Sequence, residues 1–305
     1  MAQQYPEWIW QNGVIKPWKD ATAHVMSHAL HYGSSVFEGI RSYATPEGAA
    51  IFRLTDHLKR LYQSAKIYDM VLPYTHDDIA TACRDVIRKN GFSAAYLRPV
   101  AYRGLGGFGL SAETPIDVAV ATWPMGPYLG PEALDVGITA CVSSWQRFAP
   151  NTIPAGAKAG GNYLSGQLIA REARRLGFGE GIALAASGLL SEGAGENLFL
   201  VFDGVLHTTP ASASILAGIT RDTLKVLARE DGIDVVERDI PREYLYLADE
   251  ILMCGTAAEI TPIREIDGKQ IGSGKAGPVT RRLQQLFFGL FDGKTQDKWG
   301  WLEPV

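Results

Sequence analysis

Cysteine is scarce in this chain. Cys83, Cys141 and Cys254 are widely spaced and odd in number, which excludes a disulfide framework and a CxxC metal signature and implies a reducing compartment, expected to be the cytoplasm. Charge of one sign is lacking too: 29 Lys and Arg against 33 Asp and Glu give a net charge of -4, and without a basic tract there is no electrostatic footprint for nucleic acid. No apolar run approaches the ~20 residues that span a bilayer. The first residues, Met1 to Trp8, lack a charged segment followed by an apolar one, so a soluble protein unprocessed by export is expected, with no membrane partner. Internal repeats and low-complexity tracts are missing, which removes solenoid and disordered architectures. There is no HExxH. His28 and His31, in Ser27-His-Ala-Leu-His-Tyr32, read as packing residues, and no metal is expected.

What the chain does have is size: 305 residues, 46% of them hydrophobic, enough for a large core and more than one domain. Asn12-Gly13 between Trp8-Ile-Trp10 and Val14-Ile15 predicts a hairpin. Strand-like runs follow at Val36 to Tyr43 and Ala50 to Arg53. A helix is then expected with Thr55 or Asp56 as its cap and Leu58, Leu61 and Ala65 on its apolar face, and another over Asp77 to Lys89, ending at Asn90-Gly91. Strands at Ala95 to Tyr102 and Asp117 to Thr122 complete a small α/β lobe over 1–124. The Pro- and Gly-rich stretch from Pro124 to Pro131 marks an interdomain connection, taken as 125–135. From 136 to 305, strands (Gly137 to Ser143, Gly181 to Ala185, Leu198 to Phe202, Glu250 to Met253) alternate with helices near 161–176, 219–231 and 278–291. Asp203-Gly204 supplies a further hairpin turn.

Several residues could carry chemistry. Lys158 lies in Ala155-Gly-Ala-Lys-Ala-Gly-Gly-Asn162, where small neighbours let something bulky approach the backbone. Its amine could form an imine with a carbonyl, as in pyridoxal-phosphate enzymes, although such a segment taken alone is more often a loop with a solvated lysine. Gly218-Ile219-Thr220-Arg221-Asp222 opens a helical run and offers an anion site, or else an ordinary cap by Thr220. Gly255-Thr256-Ala257-Ala258-Glu259 follows a strand and could hold a phosphate or a carboxylate, or form a plain turn. Glu192, in the glycine-rich turn Leu190 to Asn197, could keep a pyridine nitrogen protonated. Tyr163 could hydrogen-bond a phenolic oxygen or pack as a core aromatic.

In this order the segments resemble the fold-type IV pyridoxal-phosphate enzymes, and among them the branched-chain amino acid aminotransferases. The resemblance runs through His31-Tyr32-Gly33, Val36-Phe37-Glu38-Gly39-Ile40-Arg41, Asn151-Thr-Ile-Pro154, Lys158 to Tyr163, Ser191 to Phe199, Gly218 to Arg221, Gly255 to Glu259 and Trp299-Gly-Trp301. It implies a two-domain, mixed α/β (α+β) fold like that of D-amino acid aminotransferase, with a large carboxy-terminal pseudo-barrel. It implies that Lys158 is the Schiff-base lysine, that Glu192 faces the ring nitrogen and Tyr163 the ring oxygen, and that Arg60, Ile219, Thr220 and Thr256 hold the phosphate of pyridoxal 5'-phosphate. Tyr96 and Arg98, on one face of a period-2 strand, match the family's substrate pair. Thr256 and Ala257 would receive the α-carboxylate, while Tyr32, Phe37 and Tyr128 form an apolar wall. Met125 stands where some relatives carry tryptophan, a softer wall.

The implied reaction is ping-pong transfer of the amino group of L-leucine, L-isoleucine or L-valine to 2-oxoglutarate. Enzymes of the same fold offer alternatives: D-amino acid or amine transaminase, and aminodeoxychorismate lyase. Tyr96, Arg98, Tyr32 and Phe37 favour the branched-chain member. A metabolite-binding protein without catalysis is disfavoured by Lys158 and Glu192. The resemblance also implies a homodimer at least, with a hexamer as the larger alternative.

Overall fold

The computed structural model describes residues 5–126, 128–130 and 132–305. The chain forms two compact units: one of Met1–Met125, Ala157–Gly161 and Asp297–Val305, the other of Gly126–Gly156 and Asn162–Gln296. A single cut at 125–135 therefore does not divide them, because the chain returns twice to the first unit. Both returns are hydrogen-bonded: the tail strand Leu302–Pro304 pairs with Ala50 to Phe52, and Ala159 bridges Val36.

The first unit is built on an antiparallel sheet. Its hairpin β1 (Trp8–Gln11) and β2 (Val14–Pro17) turns through Asn12 at φ 50° and Gly13 at φ 88°, the left-handed pair that a two-residue type I′ turn demands. After α1 (His28–Tyr32) come β3 (Ser35–Phe37), β4 (Ile40–Thr45), β5 (Gly48–Phe52), α2 (Leu54–Ile67), α3 (His76–Asn90), β6 (Ala95–Arg103) and β7 (Ile116–Trp123). The spatial order is tail strand, β5, β4, β6, β7, β1, β2, with β3 also on β6. One face of the sheet, including Val36, Ile40, Leu97, Val118 and Val120, packs on Leu54, Leu58 and Leu61 of α2 and Ile79, Val86 and Ile87 of α3. Each such side chain contributes about 1.5–3 kcal/mol on burial.

The run expected as one strand over Val36 to Tyr43 is two. Phe37 pairs with Val100 and Ile40 with Leu97, so the break at Glu38-Gly39 faces Arg98 and Pro99 of β6. Proline has no N–H to donate to a ladder, and the chain leaves the sheet there, Glu38 N donating to Pro99 O at 2.8 Å. A Cβ on Gly39 would collide with the Tyr96 hydroxyl.

The helix ends are set in two ways. For α3 the signal is local: Thr75 and Asp78 form a reciprocal capping box and Gly91 closes the helix at φ 68°, as the sequence leads one to expect. For α2 neither Thr55 nor Asp56 is the cap. Arg53 precedes the helix in the left-handed region, and Glu303 of the tail strand accepts from Thr55 N at 2.7 Å and Thr55 Oγ1 at 3.0 Å.

The second unit comprises α4 (Ala133–Val136), β8 (Ile138–Val142), α5 (Tyr163–Arg175), β9 (Glu180–Leu184), β10 (Leu190–Gly193), β11 (Asn197–Phe202), β12 (Val205–Thr208), α6 (Ile219–Glu230), β13 (Val235–Glu237), β14 (Glu250–Gly255), β15 (Glu259–Ile266), β16 (Lys269–Gln270) and α7 (Pro278–Asp292). Its mixed sheet runs β10, β9, β8, β15, β14, β11, β12, β13, with β16 on β15. β15 has no counterpart in the sequence reading. Pro262 argues against a central strand, and the structure accommodates it by starting the pairing with β8 one residue later, at Ile263. The core includes Ile138, Ile182, Leu198, Leu200, Ile251 and Ile263.

Candidate active site

In the first unit Lys158, Arg60, Phe37, Tyr96 and Arg98 lie about α2, β3 and β6. Lys158 is pinned through its backbone: its N–H donates to Ser64 Oγ at 2.9 Å and its carbonyl accepts from Phe37 N at 3.0 Å. The small neighbours serve this docking. Ala157 and Ala159 are buried, and a Cβ on Gly160 would collide with Ser35 Oγ. The Lys158 ammonium lies 5.1 Å from the centre of the Phe37 ring.

His57, Arg60 and Ser64 stand at i, i+3 and i+7 on α2, a polar stripe beside the apolar one that enters the core. Facing it is Glu38, wholly buried in the strand break. Its Oε1 accepts from Arg60 Nε at 2.7 Å, and its Oε2 accepts from Arg60 Nη2 at 2.7 Å and lies 2.7 Å from His57 Nδ1. Burial works to raise the Glu38 carboxyl, but the Arg60 charge and hydrogen bonds, with those of His57, outweigh it and hold the group well below the usual carboxylate range. Burial lowers the His57 imidazole against the pull of Glu38, and the Arg60 and Lys158 charges add to the lowering.

Arg98 projects from β6 beside Tyr96. Its guanidinium carbon lies 4.6 Å from the Phe37 ring centre, 5.4 Å from Tyr96 and 5.9 Å from Trp123, all within cation–π range. Its Nη2 donates to the Tyr96 hydroxyl at 3.1 Å, while its buried Nε has no hydrogen-bond partner. Met125 follows β7. Tyr32, at the end of α1, is half exposed and makes ring contacts with His28 and His31. Both histidines are tied to the chain: His28 lies 2.6 Å from Ser34 Oγ and 3.1 Å from Gly109 O, and His31 lies 3.0 Å from Val25 O.

The second unit assembles the other set. Glu192, buried on β10, pairs through Oε1 with Arg147 Nη2 at 2.7 Å, and its Oε2 accepts from Asn197 Nδ2 at 3.0 Å and Leu216 N at 3.1 Å. Three donors, one of them a cation, favour the ionised carboxylate. Arg147 is itself held: its guanidinium carbon lies 4.5 Å from the Phe148 ring centre and its backbone N donates to Leu184 O at 2.9 Å. The turn before it is fastened by Glu172, which accepts from Ser144 N at 2.8 Å, Ser144 Oγ at 2.6 Å and the Ser143 hydroxyl.

Asn197 links this carboxylate to α6. Its Nδ2 also donates to Leu216 O at 2.9 Å, and a Cβ on Gly218 would collide with its Oδ1. Gly218 is the N-cap of α6, with no side chain to cap it, and Thr220 is the second helical residue and buried. An ordinary cap by Thr220 is thereby excluded. Thr256 and Ala257 form the turn between β14 and β15, and β14 pairs with β11 through Cys254 and Asn197, which puts that turn beside the Glu192–Asn197 loop. Tyr163 opens α5, one turn before Gly166, where a Cβ would collide with Ala194 O in the same loop. Tyr128 is exposed. Among the described residues, no group of three or more His, Cys, Asp or Glu is arranged to hold a metal.

Residues 35–266 match the family described as Amino-transferase class IV. The chain belongs to the class IV aminotransferases. It is 57% identical over its whole length to the branched-chain-amino-acid aminotransferase of Salmonella typhimurium, covering 99% of that protein. The crystal structure of the Escherichia coli branched-chain amino acid aminotransferase superposes with a TM-score of 0.97 at 57% identity, over 98% of this chain and 99% of that one. The branched-chain amino acid aminotransferase from Thermobaculum terrenum, in its PLP (holo) form, gives a TM-score of 0.91 at 36% identity, over 99% of each chain. In this member of the family, sequence reasoning passes over His57, Ser64, Trp123 and Arg147, and takes Glu38 and Asn197 only as parts of motifs. The one available signal was Glu38 itself, an acidic residue inside an apolar strand pattern.

Proposed function

We propose that this chain is a branched-chain-amino-acid aminotransferase that uses pyridoxal 5'-phosphate to move the amino group of L-leucine, L-isoleucine or L-valine to 2-oxoglutarate, in two half-reactions at one site. The donor set fits the cofactor: an ionised, buried carboxylate with its own arginine, a helix N-terminus without a side-chain cap, and a lysine on a fastened backbone. The cofactor, when bound, supplies a carbonyl that condenses with amines and a ring that draws electrons from the substrate α-carbon. Lys158 would anchor it and, once released, carry the α-proton, the backbone bonds to Ser64 and Phe37 fixing where that amine starts. Glu192, kept anionic by Arg147, would face the ring nitrogen, and Tyr163 the ring oxygen. Arg60, Ile219, Thr220 and Thr256 would hold the phosphate, the α6 N-terminus contributing donors and partial positive charge.

Arg98 is the observation that carries the substrate assignment. A guanidinium among the rings of Phe37, Tyr96 and Trp123, with Nε unpartnered, suits a pocket that takes an aliphatic side chain in one half-reaction and a γ-carboxylate in the other. Tyr32, Phe37, Met125 and Tyr128 would supply the apolar wall, and Thr256 with Ala257 the α-carboxylate contacts. Leu30, Phe108 and Leu110 of the first unit are exposed, apolar side chains of the kind a second copy covers, and together with the family resemblance they support a homodimer or a hexamer. Among the described residues no helix is long and apolar enough to cross a membrane, and the cysteines are free and buried. A cytoplasmic location accords with both.

The test is a coupled assay. L-Leucine with 2-oxoglutarate should yield glutamate, with D-leucine inert, and turnover of D-amino acids instead would overturn the reading. Lys158→Ala should lose about 10³-fold or more of this activity together with the visible absorbance of the bound cofactor.

A further inference from the structure

Glu38 is not among the groups assigned to cofactor or substrate, yet it is the most completely enclosed charge of the first unit. A buried ion pair adds little stability against an apolar replacement, and α2 is already seated by Leu54, Leu58 and Leu61. Holding the helix in place therefore does not account for it. Geometry does. The carboxylate meets Arg60 side-on, through Nε and Nη2 at 2.7 Å each, which fixes both the plane and the rotation of the guanidinium while leaving the end of the fork out of the pair. His57 Nδ1, 2.7 Å from Oε2, fixes the carboxylate in turn. The strand break opposite Pro99 is what brings Glu38 off the sheet to this position.

We propose that Glu38, steadied by His57, is the positioning residue for Arg60, holding its guanidinium in the orientation that receives the cofactor phosphate end-on. The inference rests on the assignment of Arg60 to that phosphate. Ser64, one turn beyond Arg60, holds the Lys158 N–H, so a single helix face orients the arginine and the lysine backbone together. Charge alone acts the other way: a carboxylate beside Arg60 repels an incoming anion, so removing only its charge would strengthen phosphate binding.

The opposition makes the experiment decisive. Apoenzyme is titrated with pyridoxal 5'-phosphate and with pyridoxal, which lacks the phosphate, by visible absorbance of the bound cofactor, and the ratio of dissociation constants is compared. Arg60→Gln should lower the preference for the phosphorylated form about 10- to 100-fold; an unchanged ratio defeats the Arg60 assignment and this inference with it. Given that loss, Glu38→Asp, which keeps the charge but withdraws it by one methylene, and Glu38→Gln, which keeps the shape, should each lower the preference about tenfold. Pyridoxal binding should stay within about twofold in both. Equal weakening for both ligands, or a gain in preference for Glu38→Gln, overturns the proposal. His57→Leu spares the Glu38–Arg60 pair and so the fold. It should lower the preference about threefold, and His57→Asn, whose amide can reach Oε2, should restore it; no effect of His57→Leu counts against the proposal.

Discussion

Arg98 sets its guanidinium against three aromatic rings and one tyrosine hydroxyl. Rings stabilise a desolvated cation by up to about 2 kcal/mol, less than a carboxylate offers, so in the proposed role the side chain would tolerate an aliphatic substrate and gain from an acidic one. On the proposed assignment, Arg98→Leu should slow the glutamate half-reaction about 10- to 100-fold and leave the leucine half-reaction within a few-fold, read by single-turnover spectroscopy with each amino acid. Equal losses for both would make Arg98 a support of the fold. Lysine should be a poor substitute, lacking the planar fork. The sequence displays Arg98 through its period-2 spacing from Tyr96, and Lys158 through its small neighbours. Glu38 stays hidden because its partners lie 19 and 22 residues away, and a pair made across that distance leaves no periodicity to read. Arg147, in the loop after β8 and remote in sequence from Glu192 on β10, is hidden for the same reason.

At the scale of elements, α3 and α2 illustrate which boundaries are local. The capping box of α3 lies within four residues of chain and is readable directly. The cap of α2 arrives from Glu303, 248 residues from Thr55, and the strand break at Glu38-Gly39 is dictated by Pro99 on a neighbouring strand. The second unit repeats the device: Glu250 of β14 accepts from Val279 N at 3.0 Å and Thr280 N at 2.8 Å at the start of α7. Glu303→Ala should cost about 1 kcal/mol, measured as a lower urea midpoint with an unchanged slope. Thr55→Val should account for part of this, and the double variant should lose less than the sum. Fold class, the hairpin turns at Asn12-Gly13 and Asp203-Gly204 and most helices were legible because their signals are periodic or local.

For the whole molecule, buried titratable groups bound the pH range of stability. Glu38 and His57 sit below their ordinary values of 4.5 and 6.5 when folded, so the unfolded chain takes up protons first. The stability they contribute is complete above pH 6.5 and is lost as pH falls, through His57 first and through Glu38 once pH drops below 4.5. The thiols act in the opposite sense: burial pushes Cys83 from 9.0 up to about 12 and Cys254 further still. Their contribution is complete below pH 9.0 and declines as pH rises through the folded values. Chemical denaturation at a series of pH values should therefore give a plateau between pH 6.5 and 9.0. In the native state at pH 8 a disulfide reagent should titrate no thiol, and after unfolding all three cysteines; rapid native labelling would contradict the enclosure of Cys83 and Cys254.

The two returns of the chain to its first unit also have a consequence in time. On the ribosome β1 to β7 emerge early, Ala157–Gly161 later, and Asp297–Val305 only after the second unit has been made. At about 5–20 residues per second the interval from Met125 to Asp297 lasts roughly 10–35 s. Throughout it Thr55 waits for Glu303, and β5 is an unpaired sheet edge open to other nascent chains. The second unit is the first that a growing polypeptide can finish, and the unit begun at the amino terminus is the last to close.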